Sequence, residues 1–330
     1  MSGQRDPVEA ALGATEDLYD VATWDPRSAL DRLAIRVYGG LRRARRIVLV
    51  VVAVVLFLLQ LAAGGYVLLT RPTLGILALL SAVPGLLLVA LIWWGDIADR
   101  EPVELLAVTF LLAVLFAMFA AFVDSALMLA FRVIPVVGMV LFFYLAVGPI
   151  EETVKWLAVR VYAYHSDEFR AVVDGAVFGA VAGLGFSTIE NSIYITHAVL
   201  AASSGAASAG QVSVALQTAT TRAFVGPGHV IYSSFAGYYL GLAKFNPENR
   251  GPIVVKGLLI AAGIHATYDT LVSVLPLSGL AFVAFVVVYD GFFGYLLYRK
   301  LAAYRRKYRE ASTLEAGPDL VGVAETAPDE

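Results

Sequence analysis

Residues 148–156 read GPIEETVKW and place two adjacent glutamates and a lysine inside an apolar run that extends from about residue 133 to about residue 164. A single charge at the centre of a bilayer costs from about 2.5 to more than 10 kcal/mol, depending on how it is measured. Three ionisable groups in five positions therefore require polar partners at the same depth. This stretch predicts a membrane helix whose charged residues are met by other parts of the chain.

The composition places the chain among membrane proteins. Of its 330 residues, 59% are hydrophobic and 15% are charged, whereas a soluble domain has about 45–50% apolar and about 25% charged residues. The excess lies in runs of about 20 or more apolar residues, which is typical of several membrane spans. We therefore predict an all-α, polytopic membrane helix bundle of about eight transmembrane helices. The net charge of -3 argues against a nucleic-acid partner, and the absence of cysteine excludes thiolate chemistry.

The apolar runs divide the chain into three parts. Residues 1–46 form a polar N-terminal tail, in which residues 26–36 have the pattern of a short amphipathic helix on the membrane surface. Residues 47–298 form the transmembrane helical domain, and residues 299–330 form a tail that is basic first and then disordered. The predicted spans are 47–69, 74–94, 105–131, 134–162, 172–199, 217–243, 253–275 and 279–298.

The basic residues predict the orientation of the chain. With eight spans both termini lie on the same side, and arginines and lysines cluster before the first span and after the last. The opposite side carries little beyond Arg71, Arg132 and Arg222. Because cytoplasmic loops carry an excess of lysine and arginine, we predict cytoplasmic termini and a multi-pass location in the plasma membrane.

Ionisable residues recur at similar depths in four consecutive predicted spans. A rise of about 1.5 Å per residue brings the acids and histidines of these spans towards the middle of the bilayer, and this coincidence predicts a functional centre. Two further acids, Asp124 and Asp290, are expected to hydrogen-bond to neighbouring helices instead. The predicted central residues are Glu151, Glu152, Glu190, His229, His265 and Asp269.

The spacing within each span adds detail. Glu151 and Lys155 are four residues apart and so share a helix face, as do His265 and Asp269. Glu152 is rotated by about 100° from Glu151, so only one of the two glutamates can face a given direction. The spacing alone leaves open which of them faces a central cavity.

Prolines and glycines predict breaks and close contacts. Pro149 removes a backbone donor and is expected to kink the fourth span. The sequence GPG at residues 226–228 is expected to break the sixth span just before His229. Small residues four apart let membrane helices approach closely, and two such stripes occur, at Gly175, Gly179 and Gly183 and at Gly237 and Gly241.

Three kinds of function would place such residues in a membrane. The first is hydrolysis, in which a glutamate activates water while histidines and a second carboxylate hold a metal or stabilise an oxyanion. The second, which we keep as the alternative, is ion- or proton-coupled transport through the buried Glu/His cluster. The third is a receptor or structural bundle.

Four motifs in order resemble a known family. They are EETVK at residues 151–155, FSTIEN at 186–191, a histidine at 229 ahead of GYYLG at 237–241, and HATYD at 265–269. Together they resemble the PrsW family of intramembrane proteases, which is distantly similar to the CAAX prenyl protease type II and bacteriocin-processing group. The resemblance covers about residues 75–298.

The resemblance implies an endopeptidase that cuts membrane-embedded or membrane-proximal segments of a membrane protein or peptide within the lipid bilayer, in regulated proteolysis. Glu151 or Glu152 would be the general base. Glu190, His229, His265 and Asp269 would be catalytic and are the candidate metal ligands, with Lys155, Asn191 and Phe186 in support. The family is labelled metalloprotease, which makes Zn²⁺ a candidate cofactor, but the chain has no HExxH motif and a metal-free glutamate mechanism fits the same residues.

Overall fold

A computed structural model describes residues 26–40, 71–95, 100–202 and 208–315, with a few single positions before residue 71. The chain forms two compact units, residues 1–58 and 59–330. In the first, a helix covers residues 29–40. The backbone N–H of Ser28 donates to Asp31 Oδ2 (2.7 Å) and the N–H of Asp31 donates to Ser28 Oγ (3.1 Å), so the helix begins with a reciprocal cap. The first predicted span, residues 47–69, lies outside the described residues apart from single positions.

The second unit is built from helices, and within the described residues the chain has no strand. Five of these helices, α1, α2, α5, α7 and α8 below, are long and apolar enough to cross a membrane, which confirms an all-α membrane bundle. The helices are α1 (Pro72–Trp94), α2 (Val103–Phe131), α3 (Gly138–Phe142), α4 (Gly148–Val161), α5 (Val172–Ala202), α6 (Ser208–Lys244), α7 (Arg250–Val274) and α8 (Gly279–Glu315).

The predicted kink in the fourth span takes the form of a π-helical turn. The turn covers Phe143–Val147 and joins α3 to α4, and Pro149 lies in the first turn of α4. A proline is tolerated there because the first N–H groups of a helix have no partner within the helix. The start of α4 packs closely on α7, since a Cβ atom at Gly148 would lie 2.7 Å from the carbonyl oxygen of Ala262.

The predicted break at residues 226–228 is wrong. Helix α6 continues through Pro227 without interruption from Ser208 to Lys244. A proline inside a helix removes one hydrogen bond, and membrane helices tolerate this loss when neighbouring helices hold the chain on both sides. Here α6 packs along α5, α7 and α1, so the packing maintains the helix where the local sequence would end it.

The glycine stripes of α5 and α6 pack directly against each other, as predicted. A Cβ atom at Gly175 would lie 2.2 Å from the carbonyl oxygen of Gly237, and one at Gly179 would lie 2.3 Å from that of Ser233. A Cβ atom at Gly183 would lie 2.3 Å from the carbonyl oxygen of His229. Only residues without a side chain allow this distance between the two backbones, so the stripes determine how α5 and α6 meet.

The substitution Gly179→Ala should lower the apparent melting temperature of the purified protein in detergent. Its new methyl group meets the backbone of α6 rather than a flexible side chain, and overpacking of this kind costs about 1–3 kcal/mol. Gly291→Ala in α8 is the matched control, because a Cβ atom there has no atom of the described residues within 4 Å. Equal melting temperatures for the two variants would contradict the proposed contact.

Candidate active site

A buried ionic cluster lies where α4, α5, α6 and α7 meet. The ammonium nitrogen of Lys155 donates to Glu152 Oε1 at 2.7 Å and lies 3.4 Å from Glu151 Oε2. It also lies 3.0 Å from Nδ1 of His229 and 4.1 Å above the ring centroid of Phe186. The Lys155 side chain is fully buried. Its charge is therefore compensated by the neighbouring carboxylates instead of by water.

Glu152 is the centre of this cluster and has no solvent exposure. Besides Lys155, its carboxylate accepts a hydrogen bond from Ser233 Oγ at 3.3 Å and lies 3.0 Å from Nδ1 of His265. The other ring nitrogen of His265, Nε2, lies 3.5 Å from Asp269 Oδ2 and 3.8 Å from Glu151 Oε2. An Nδ1–H group that donates to Glu152 leaves Nε2 as the nitrogen with a lone pair directed towards Glu151 and Asp269.

Glu190 on α5 belongs to a second group of contacts. Its Oε2 atom lies 2.6 Å from Nη2 of Arg222 and 2.8 Å from Nε2 of His229. Arg222 Nε donates to Asn191 Oδ1 at 2.7 Å, and the Asn191 amide donates to Ser81 Oγ on α1 at 3.0 Å. These bonds connect α1, α5 and α6.

Arg222 belongs to this site although the sequence motifs did not include it. It is buried in the bundle and paired with Glu190, and its predicted place among the few basic residues of the external side stays a prediction. Its position carried a signal, because Arg222 precedes His229 by seven residues, or two helical turns, and so lies on the same face of α6.

A cavity of about 790 Å³ opens beside the cluster. Of the two adjacent glutamates, Glu151 lines this cavity, whereas Glu152 and Lys155 do not. The orientation that the sequence left open is therefore resolved in favour of Glu151. The predicted site residues that line the cavity are Glu151, Glu190, His229, His265, Asp269 and Phe186.

Asp290 and Asp124, the two acids expected to hydrogen-bond to neighbouring helices, differ in whether they have such a partner. Asp290 does so, because Tyr232 donates its hydroxyl to Asp290 Oδ1 at 2.7 Å. For Asp124 the expectation is wrong. Its side chain is buried and lines the cavity, and neither carboxylate oxygen has a hydrogen-bond partner among the described residues. Tyr268 is another residue that lines the cavity, and its buried hydroxyl likewise has no hydrogen-bond partner among the described residues.

The cluster contains donors that suit a divalent cation. Within the part of the chain that the structure describes, Glu151, His229 and His265 each offer a ligand atom, and these atoms lie within 4.8 Å of one another. A carboxylate oxygen with two imidazole nitrogens is a ligand set used for zinc. For His265 the arrangement is direct, because Glu152 holds the opposite ring nitrogen as partners of metal-bound histidines do. His229 would have to exchange its contact with Lys155 or with Glu190.

The charges of the cluster agree with this donor set. Its four carboxylates face one lysine and one arginine, which leaves a formal excess of two negative charges if all six groups are ionised. A divalent cation would balance that excess. The carboxylates are those of Glu151, Glu152, Glu190 and Asp269, and the cations are Lys155 and Arg222. The geometry differs from the predicted ligand set, which named Glu190 and Asp269 in place of Glu151, and that set stays a prediction.

Comparison with known proteins gives a consistent family match. A sequence model of a family described as "PrsW family intramembrane metalloprotease" matches residues 101–294. Three relatives, each named "Protease PrsW", come from Shouchella clausii, Geobacillus kaustophilus and Bacillus subtilis. They are 28%, 29% and 28% identical to this chain over 131, 197 and 204 residues.

The extent of these matches varies. The aligned stretches cover 39%, 59% and 60% of this chain, in the same order of relatives. They cover 54% of the Shouchella protein, 79% of the Geobacillus protein and 84% of the Bacillus protein. The chain thus spans about half the length of the first relative and most of the other two. No solved structure matches the chain.

The substitution Arg222→Met should destabilise the protein through Glu190. It leaves a buried carboxylate without its cation, which typically costs about 3–5 kcal/mol. The double variant Arg222→Met with Glu190→Gln should recover part of that loss, because the second change removes the unpaired charge. Apparent melting temperatures of the two single variants and the double variant measure the coupling. Strictly additive effects would show that the ion pair carries no stability.

Proposed function

Because this chain belongs to the PrsW family of intramembrane metalloproteases, we propose that it hydrolyses peptide bonds in membrane-embedded or membrane-proximal segments of a membrane protein. One observation carries this proposal. Glu151 and two histidines line a cavity of about 790 Å³. This volume lies in the size range of ligand sites in proteins. The motif order that suggested a peptidase thus has a matching spatial arrangement.

In the proposed reaction Glu151 is the general base. Its carboxylate takes a proton from a water molecule, the water oxygen attacks the carbonyl carbon of the substrate, and a tetrahedral intermediate forms. When the C–N bond breaks, the protonated Glu151 returns the proton to the leaving amine nitrogen. Tyr268 lines the cavity, and its hydroxyl has no hydrogen-bond partner among the described residues, so it is a candidate donor to the negative oxygen of the intermediate.

The residues behind the cavity position these groups. Glu152 acts through His265, whose ring it holds by Nδ1 at 3.0 Å, and through Lys155, which lies between the two glutamates. Arg222 holds Glu190 at 2.6 Å, and Glu190 in turn contacts His229 at 2.8 Å. These contacts restrict the rotamers of both histidines, as a preorganised site requires.

A metal ion, with Zn²⁺ as our candidate, would be held by Glu151, His229 and His265. When bound, such an ion lowers the pKa of a coordinated water and polarises a carbonyl group. Without an ion Glu151 is the base of the proposed reaction, and with an ion its carboxylate would be a ligand.

The membership of a protease family does not favour the transport alternative. The helices and the family identify a multi-pass membrane protein. A plasma-membrane location with both termini in the cytoplasm stays our prediction, and so do the three-part division of the chain and a role in regulated proteolysis.

The substitution Glu151→Gln should abolish peptide cleavage while the protein stays folded. An amide cannot accept the proton of the attacking water, and general-base catalysis contributes about 10²–10⁴-fold. Cleavage of a fluorogenic transmembrane peptide in liposomes measures the rate, and the melting temperature reports folding. Glu104→Gln, which changes an exposed glutamate in the first turn of α2, is the matched control. Full activity of the Glu151→Gln protein would exclude Glu151 as the base.

Metal analysis distinguishes the two forms of the chemistry. If an ion is bound by Glu151, His229 and His265, elemental analysis should find about one zinc per chain in the purified protein and much less in His265→Ala. A chelator should then stop cleavage, and added Zn²⁺ should restore it. Metal-free protein with unchanged activity would instead favour the glutamate mechanism without a cofactor.

A further inference from the structure

Asp124 is a buried acid that the proposed reaction does not use. It lies on α2, seven residues before the end of the helix at Phe131. Its residue is 8% exposed, and neither of its carboxylate oxygens has a hydrogen-bond partner among the described residues. Buried carboxylates are otherwise paired or hydrogen-bonded, because an unpaired buried charge costs several kcal/mol.

The direction of the Asp124 side chain is clear from the residues around it. Helix α2 presents one stripe to the cavity, with a spacing of four, three and four residues, and Asp124 is the charged residue of this stripe. Its neighbours on the stripe are Ala117, Ala121 and Met128, and Ser125 lines the cavity beside it. The hydroxyl of Ser125 donates to the carbonyl oxygen of Ala121 in its own helix. Asp124 is therefore the one ionisable residue that α2 contributes to the cavity.

No other group of the described residues forms a hydrogen bond with the carboxylate of Asp124. Among the described residues that line the cavity, the carboxylates are those of Asp124, Glu151, Glu190 and Asp269, the histidines are His197, His229 and His265, and the one arginine is Arg222. Arg222 is already bound to Glu190 and Asn191, and no ion pair joins it to Asp124. Among the described residues Asp124 therefore lacks a cationic partner, which a basic group that enters the cavity would supply.

We propose that Asp124 is a specificity-determining residue, which binds the ammonium or guanidinium group of a lysine or arginine in the substrate segment. This inference rests on the proposed peptidase function, because it assigns the cavity to a peptide. The apolar stripe of α2 suits the aliphatic stem of such a side chain, and the carboxylate of Asp124 accepts the hydrogen bonds of its charged end. The preferred substrate is therefore an apolar segment that contains one basic residue near the bond to be cut.

A binding experiment tests this directly on the full chain. The probes are dye-labelled transmembrane peptides of leucine and alanine that carry one lysine, scanned along the segment, or norleucine at the same position. Norleucine keeps the aliphatic stem and lacks the ammonium group. The full chain carries Glu151→Gln to prevent cleavage and is reconstituted in lipid nanodiscs, and fluorescence anisotropy gives the dissociation constants. Three proteins are compared, and all of them carry Glu151→Gln. The first has no further change, the second also has Asp124→Asn, and the third has Glu104→Gln as the carboxylate-to-amide control on the same helix.

We expect the lysine peptide of the best register to bind at least about tenfold more tightly than its norleucine counterpart, as a charge-assisted hydrogen bond provides. In the Asp124→Asn protein the ratio should fall to within about twofold, and in the Glu104→Gln protein it should persist. Equal binding of both peptides to the protein that retains Asp124, or a preference that survives Asp124→Asn, would overturn the proposal. The lysine–norleucine comparison needs no change at position 124, so misfolding of the Asp124→Asn protein cannot obscure it.

Cleavage by the unmodified chain separates this proposal from the proposed function. Mass spectrometry of the products should place the cut at a constant distance from the lysine as the lysine is moved. If no peptide is cut although the lysine preference in binding depends on Asp124, the peptidase assignment fails and the binding role stands. If peptides are cut without regard to the lysine, the peptidase assignment stands and the role of Asp124 is refuted.

Discussion

The backbone contact between α5 and α6 is the constraint on which the rest of the site depends. At Gly183 the two helices are so close that a methyl group would lie 2.3 Å from the carbonyl oxygen of His229. Glu190 follows Gly183 by seven residues, or two turns, and so lies on the same face of α5. The contact that brings the helices together therefore also brings Glu190 to His229, at 2.8 Å. Packing and chemistry share one surface, so a larger residue on this surface would displace both.

Burying Lys155 imposes a second constraint on the site. The ammonium group of Lys155 is out of reach of water. Its charge must therefore be balanced by acids that are themselves costly to bury. Glu152 meets both requirements, because it binds Lys155, His265 and Ser233 at once. A carboxylate with this many partners is fixed in position. Glu151 lies farther from Lys155, at 3.4 Å, and this difference is why we propose Glu151 rather than Glu152 as the base.

Much of the fold and part of the site could be predicted from the sequence. Helix positions follow from apolar runs, and the glycine contact follows from a spacing of four, because both are local patterns. The break predicted at Pro227 was wrong, since the neighbours of α6 outweigh a local preference. Asp124 was misjudged, and the pairing of Arg222 was not predicted, for a related reason. Whether a charge inside a span is paired depends on which residue of another helix lies opposite, and no spacing within one helix records that.

The two adjacent glutamates illustrate how helix geometry divides the work of identical side chains. A rotation of about 100° between neighbours directs Glu152 to the interior of the bundle and Glu151 to the cavity. The π-helical turn at Phe143–Val147 lies immediately before α4 and so sets the rotation at which α4 presents its glutamates. A regular α-helix through the same residues would turn the pair relative to α6 and α7. The unusual turn thus contributes to the orientation in which Glu152 contacts Lys155 and His265 while Glu151 lines the cavity.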